Sequence, residues 1–498
     1  MERALAVRPR SARWGRLLCA ALLAGALALP VPGGGFAQAA VGPAAAPAET
    51  AAPAETAVPA AAPARSLVVE SVRFSGQWKT RRAVLERLLA LAPGDAVDAS
   101  ALAAARARLL DSGYFSSVEI ATEPGAERGA VAIAVNLRER HRPYLDTGFG
   151  FRDPEGWYLT LLGLRMENPV GLGGRATVGV LLGFRTTGAE AELLQPLRAA
   201  GDLSLRLRVH GQNEKLLWYE NEPGWIGLYD EHRLGLNRAE ASLSLLWRPV
   251  ALLGLELGLS AASVEPETTG ENRDTDAEVP AYRLPAAFQA EAGWRDLNGV
   301  LLGLSLGTGG MDGAPGHSLN LRGRLVSEAL GADLDYARWT LAARATEALP
   351  AGHRLALGLR GGWVGERAPY YERFRLGGSY SLRGFRDHSL SPPEGHDAVF
   401  TAALEYRVPL LRGRRGPGPD NDRLGALAFA DAGRGWLEHP GSLAEPDVDY
   451  ERWQLGAGYG LRLTLPWLGT LGVDLGFPVT SGITGEPVWV YLTLGHTF

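Results

Sequence analysis

The stretch WQLGAGYGLRLTL (453–465) decides the fold. Trp453, Leu455, Ala457, Tyr459, Leu461, Leu463 and Leu465 fill every second position. Between them stand Gln454, Gly456, Gly458, Gly460, Arg462 and Thr464. Successive residues of a strand point to opposite faces, so this period of two predicts a strand with one apolar face and one polar or bare face. LSLRLRVH (203–210) repeats it, with Leu203, Leu205, Leu207 and Val209 against Ser204, Arg206, Arg208 and His210. So does FTAALEYRV (400–408), where Phe400, Leu404 and Tyr406 oppose Thr401, Glu405 and Arg407. From about residue 143 onward helical periodicity nearly vanishes and such segments alternate with turn chemistry.

Strands of this kind suit a soluble sandwich with one wet face, or a membrane barrel with lipid outside and water inside. Segment lengths of about 9–11 residues, an export signal and a last segment that is itself a strand favour the barrel. In lipid every backbone N–H and C=O needs a partner, so a sheet there closes on itself. The predicted strands are 143–151, 157–166, 173–185, 188–196, 202–211, 238–248, 252–263, 286–297, 317–328, 334–347, 353–364, 398–409, 424–432, 453–465, 469–477 and 488–498, about sixteen in all. Residues 298–316 stay ambiguous, because GVLLGLSLG is itself strand-like. Long connections (212–237, 264–285, 365–397, 433–452) fall at one end of this barrel, and short turns (NPVGLGG, RPVAL, ALPAGH, PWLG) at the other, with 410–423 the exception. That asymmetry is the outer-membrane pattern of long outer loops and short periplasmic turns.

The N-terminus reads as a secretory signal (1–39). Five arginines precede the apolar run LLCAALLAGALAL, and Ala37–Gln38–Ala39 offers small residues for cleavage. The single cysteine, Cys19, lies within that run behind Leu18, which does not suit a lipoprotein. Residues 40–65 are a Pro/Ala-rich linker. Residues 66–139 predict a small β-α-α-β-β unit. Val84, Leu85, Leu88 and Leu89 share one helical face, Asp98 is an N-cap candidate, and Val131, Ile133, Val135 and Leu137 alternate along the last strand. The barrel then covers 140–498.

A net charge of −5 with no basic stripe argues against nucleic acid. The sequence has no GxSxG elbow, no Walker loop and no histidine pair at metal-ligand spacing, so no enzyme, cofactor or metal is predicted. The acidic stretch EPETTGENRDTDAE (265–278) reads as a solvated loop or as a bridge through divalent ions to lipopolysaccharide. RGRRG (412–416) reads as a short basic turn.

Residues 66–139 resemble a POTRA domain, and the rest resembles the BamA/TamA superfamily of outer-membrane assembly and translocation barrels, the bacterial surface antigen family. The carrying motifs are RFRLGGSYSLRGF (373–385), LEYRVPL (404–410), FADAG (429–433), ENPVGLGGR (167–175) and the terminal LTLGHTF (492–498). The resemblance implies that the loop at 365–397 folds back into the lumen and that Arg383, with Gly384 and Phe385 beside it, meets Asp431 and Glu405 on the inner wall. It implies that Leu492, Leu494 and Phe498 mark the strand read by the outer-membrane insertion machinery. It implies that the first and last strands meet at a seam that opens as a lateral gate, a fully paired seam being the alternative. Gly148, Gly150 and Gly495 bring few side-chain contacts to that seam. Two functions follow: insertion or translocation of a client polypeptide or lipid, with the POTRA domain binding an extended client or a periplasmic partner, or a passive channel with POTRA as a docking module. Outer-membrane lipid and lipopolysaccharide surround the barrel in either case. Only one POTRA-like unit is present here, which weakens any reading as a general assembly machine.

Overall fold

Two alternation patterns build two units. The computed structural model describes residues 67–498 except 147, 153–155, 199, 222–228, 273–274, 309–314, 413–421, 438–448, 466–468, 481–486 and 495–498. The signal and linker regions, Gly495 and Phe498 thus lie outside the described residues.

The first unit holds β1 (Leu67–Ser75), α1 (Arg82–Leu89), the two-residue β2 (Ala96–Val97), α2 (Ala99–Asp111), β3 (Phe115–Pro124) and β4 (Ala130–Glu139). Its sheet runs β2-β1-β4-β3, with β1 parallel to β4. Leu85 and Leu89 of α1 and Ala105 and Leu109 of α2 pack with Ile133, Val135 and Leu137 of β4 in one core. Each buried side chain of the Leu/Ile class contributes about 1.5–3 kcal/mol. Asp98 caps α2 by accepting the Ala101 N–H at 2.7 Å.

The second unit is a closed antiparallel barrel. Its strands are β5 (Tyr144–Leu145), β6 (Gly148–Arg152), β7 (Gly156–Glu167), β8 (Arg175–Gly183), β9 (Thr186–Pro196), β10 (Leu203–Asn221), β11 (Tyr229–Val250), β12 (Leu253–Asn272), β13 (Glu278–Val279), β14 (Arg295–Asp296), β15 (Gly299–Gly307), β16 (Gly316–Val326), β17 (Tyr336–Ala348), β18 (Arg354–Val364), β19 (Ala398–Arg412), β20 (Asp422–Trp436), β21 (Gln454–Leu465), β22 (Gly469–Pro478) and β23 (Trp489–Leu494). With β5 and β6 taken as one stave and the two-residue β13 and β14 set aside, the described residues give sixteen staves. The outer face carries the alternating apolar set: Leu243, Leu245, Leu257, Leu355, Leu404, Tyr459 and Leu461 are all exposed. A lipid-facing surface needs that composition. No described helix is long and apolar enough to cross a membrane.

Two sequence expectations are corrected. No stave runs along 286–297, where only the two residues of β14 pair with β12. Residues Ala286–Ala290 form a short helix, α3, and Phe288 lies buried against Trp218. The eighth stave is β15, from the ambiguous GVLLGLSLG, because only there does alternation continue opposite Leu255, Leu257 and Leu259 of β12. The connections at 212–237 and 264–285 are also largely strand. β10, β11 and β12 have 19, 22 and 20 residues, roughly twice what spanning needs. Their outer ends bury Leu216, Trp218, Leu234, Leu236 and Val264 in a core with Phe288, Tyr370 and Tyr371. Much of the acidic stretch is accordingly ordered strand rather than solvated loop, with Glu271 paired to Lys215 at 2.8 Å.

The turn after β7 docks on the small domain. Asn168, at φ +54°, donates from its side chain to Thr80 Oγ1 at 2.8 Å and accepts the Gly173 N–H at 2.7 Å. The Gly171 carbonyl accepts the Arg81 N–H at 3.0 Å, at the N-terminus of α1. A Cβ on Gly171 would lie 2.1 Å from the Lys79 carbonyl oxygen, so only glycine lets the two backbones approach this closely.

Candidate functional site

The connection between β18 and β19 (365–397) lies inside the barrel, with Leu376, Leu382, Phe385 and Leu390 forming its own small core. Gly377, Gly378 and Gly384 adopt positive φ, which folds RLGGSYSLRGF into tight turns.

At its tip Arg383 is 1 % exposed. Its backbone N–H, Nε and one terminal nitrogen reach Asp431 at 3.0, 2.7 and 2.8 Å. The other terminal nitrogen donates to Glu405 at 2.6 Å and lies 3.5 Å from Asp474. The guanidinium also covers the Phe429 ring at 3.7 Å. Glu405 pairs further with Arg407, and Asp474 with Arg462. Three guanidiniums thus face three carboxylates, a balanced cluster in which each buried charge is compensated. The sequence alternation accounts for two of the three carboxylates, since Glu405 and Asp431 stand opposite the lipid-facing residues of β19 and β20.

Asp474, Arg407 and Arg462 are members that sequence reasoning missed. So was the bed on which the tip lies. The glycines of WQLGAGYG face inward, and a Cβ on Gly456 would fall 1.8 Å from the Arg383 carbonyl oxygen. The signal was visible as glycine at alternate positions, but only the loop's position gives it meaning. Tyr491 of β23 is buried and accepts the Gly384 N–H at 2.9 Å while donating to the Phe385 carbonyl at 2.7 Å.

The same loop meets the opposite wall. Glu372 pairs with Arg238 at 2.9 Å, and its carbonyl accepts from Arg338 at 2.8 Å. Arg386 pairs with Glu231 at 2.8 Å, Arg185 with Asp387 at 3.3 Å, and the Tyr219 hydroxyl donates to the Asp387 carbonyl at 2.5 Å. The loop therefore crosses the lumen from β11 and β17 to β19, β20 and β23. Among other site residues named from the sequence, Leu492 is exposed on the outer face. Leu494 ends β23, and Gly148 and Gly150 lie in β6, beside which the closed sheet brings β23.

Residues 168–498 match the Omp85 superfamily domain, and residues 67–140 match the POTRA repeat, the surface antigen variable number repeat. The chain belongs to the Omp85 superfamily. An outer membrane protein assembly factor BamA of Nitratidesulfovibrio vulgaris is 25% identical over 435 residues, 85% of this chain and 50% of that protein. The chain thus spans half the length of that curated relative. The crystal structure of BamA from Haemophilus ducreyi lacking POTRA domains 1–3 superposes with a TM-score of 0.60 at 18% identity, covering 86% of this chain and 83% of that one. CdiB from Acinetobacter baumannii aligns over 86% of this chain and 73% of its own, at 16% identity and a TM-score of 0.48. As an Omp85 protein with a POTRA domain, the chain is a bacterial outer-membrane barrel with its POTRA unit in the periplasm. The docked turn 168–174 is then periplasmic, and the core around Trp218 and Phe288 stands on the outer side. At family level, Omp85 proteins serve protein insertion or translocation at the outer membrane and are assembly or transport factors rather than enzymes.

Proposed function

We propose that this Omp85 protein handles client polypeptides rather than serving as an open pore. The POTRA domain takes an extended client segment along the edge of its sheet and hands it to the barrel wall at the β23–β6 seam, beside Gly148, Gly150 and Gly495. The observation that carries the reading is the loop across the lumen, tied by charges to opposite walls, since a passive channel needs an open path. The edge position of β3 supports the first step, because an edge strand offers unpaired N–H and C=O groups to an incoming strand. Arg383, with Gly384 and Phe385 at the tip, is the loop's anchor on Asp431 and Glu405. Leu492, Leu494 and Phe498 present the terminal strand to the insertion machinery during the protein's own assembly, and lipid with lipopolysaccharide surrounds the finished barrel.

The test is reconstitution of the purified protein in liposomes, with and without residues 67–139, followed by addition of an unfolded outer-membrane protein. Faster client insertion that depends on the POTRA domain, with little ionic conductance, supports the proposal. A steady porin-like conductance with no effect on the client overturns it.

A further inference from the structure

The segments QWKTRR (77–82) and RHR (140–142) of the POTRA domain meet where the chain enters the first stave. The Trp78 indole donates to His141 Nδ1 at 3.0 Å, and the two rings lie 5.5 Å apart. Together the segments hold Lys79, Arg81, Arg82, Arg140 and Arg142 and no acidic residue. Glu139, beside them, is buried and accepts the Lys79 and Thr80 N–H groups. Arg82 pairs with Glu86, and Arg140 lies over the Tyr144 ring at 5.4 Å. Arg81 and Arg142 are exposed and make no ion pair among the described residues. Lys79 Nζ is shielded from water, lies 5.6 Å from the centre of the Trp78 ring, and has no hydrogen-bond partner among the described residues. Trp78 itself is 66% exposed.

The chain itself sets the height of this patch. β4 ends at Glu139 and β5 begins at Tyr144. Consecutive residues span at most about 3.6 Å, so Arg142 lies within about 7 Å of Tyr144. Leu145 and its pairing partner Leu164 are exposed on the lipid-facing side, so the hydrocarbon begins there. Each headgroup layer of a bilayer is roughly 5–7 Å thick, which places Arg142, and Trp78 beside it through His141, at headgroup level. An indole suits that boundary, having an apolar body and a polar edge, and cations beside a bilayer attract anionic headgroups. Residues 77–81 form no strand, so the patch offers no ladder to an extended peptide. We propose that Trp78, Lys79, Arg81 and Arg142 dock on anionic phospholipid headgroups of the periplasmic leaflet and so fasten the POTRA domain beneath the first stave. The lipid then holds the domain on a side that the Asn168 and Gly171 contacts of the β7–β8 turn do not cover.

The test places a photocrosslinker in the full chain as Trp78→p-benzoylphenylalanine, which keeps an aromatic side chain. The protein is reconstituted at low salt in nanodiscs of mixed phosphatidylcholine and phosphatidylglycerol, irradiated, and its lipid adducts are identified by mass spectrometry. Phosphatidylglycerol adducts are expected at least about threefold above that lipid's share of the disc. Arg81→Gln with Arg142→Gln returns them to that share, and so does high salt. Arg81 meets Gly171 through its backbone N–H, so the double variant keeps the docked turn, and heat-modifiable migration verifies its barrel. Adducts that follow the disc composition, enrichment that the double variant retains, or adducts within the protein alone overturn the proposal. In outer membranes the same probe gives mainly lipid adducts, and adducts mainly to a second polypeptide overturn it in favour of an acidic protein partner.

Discussion

Tyr491, on the last described strand, holds two successive backbone groups of the luminal loop: it accepts the Gly384 N–H at 2.9 Å and donates to the Phe385 carbonyl at 2.7 Å. The strand beside the seam and the loop tip are therefore one mechanical unit. Tyr491→Phe keeps the ring and removes both bonds, leaving the buried Gly384 N–H unmatched at about 1–3 kcal/mol, while the Phe385 carbonyl keeps the Gly378 N–H at 3.1 Å. The barrel still forms and migrates as heat-modifiable protein, while external protease cuts 365–397 faster than in the wild type. Unchanged protection would show that the hydroxyl does not hold the loop.

Arg383 leaves more behind when it is removed. Arg383→Ala strands Asp431 and part of the charge on Glu405 and Asp474, a loss of about 3–5 kcal/mol for a buried pair broken from one side. Asp431→Ala costs less, because Glu405 still holds the guanidinium at 2.6 Å. In urea unfolding, the double variant falls short of the sum of the singles by about 0.5–3 kcal/mol. Strict additivity would mean that the two side chains are not energetically coupled.

Glu372→Gln tests the far wall. Arg238 retains Glu214 at 3.4 Å and Arg324 retains Glu240 at 3.4 Å, so the loss is smaller, about 1–3 kcal/mol. Either Glu372→Gln or Arg383→Ala alone leaves single-channel conductance low, since the loop remains tied on one side. The two together raise it only partway, since Arg386 still pairs with Glu231 on the far wall and Tyr491 still holds Gly384 and Phe385 at the tip. High conductance in either single variant would place the whole attachment on one wall.

Gly171→Ala addresses the junction with the POTRA domain. The new Cβ meets the Lys79 carbonyl, and the Arg81 N–H loses its acceptor when the turn shifts. Crosslinking between cysteines introduced at Thr80 and Asn168 is efficient in the otherwise wild-type protein and falls several-fold with Gly171→Ala. The barrel's urea midpoint stays unchanged. Equal crosslinking would show that the close approach is not needed for docking.

His396 gives the loop a dependence on pH. Burial lowers its pKa from 6.5 to about 4, its ring lying between Ser391 and the Tyr450 carbonyl. A released loop binds a proton near pH 6.5 that the packed loop refuses. Loop packing is therefore independent of pH above that value and weakens as pH falls toward 4, by about 3 kcal/mol in total. Protease protection of 365–397 should decline across that window and stay level from pH 7 to 8. A His396→Asn variant should be flat throughout.

The alternation in segments such as 453–465 determined the closed barrel, its number of staves and which side of each strand meets lipid, because period two is a local property fixed by backbone geometry. The same local logic put Glu405 on the polar side of its strand and Asp98 at a helix start. Tertiary structure decided what those inward groups meet. Asp474 and Arg462 join the Arg383 cluster across strands, Gly456 matters because a loop some seventy residues earlier lies on it, and Glu372 finds Arg238 more than a hundred residues away. The eighth stave likewise passed from 286–297 to β15, since a five-residue helix carrying Phe288 is worth forming only when Trp218 is there to bury it. Pairings between groups distant in sequence depend on where the closed sheet carries each wall, and no periodicity within a segment encodes that.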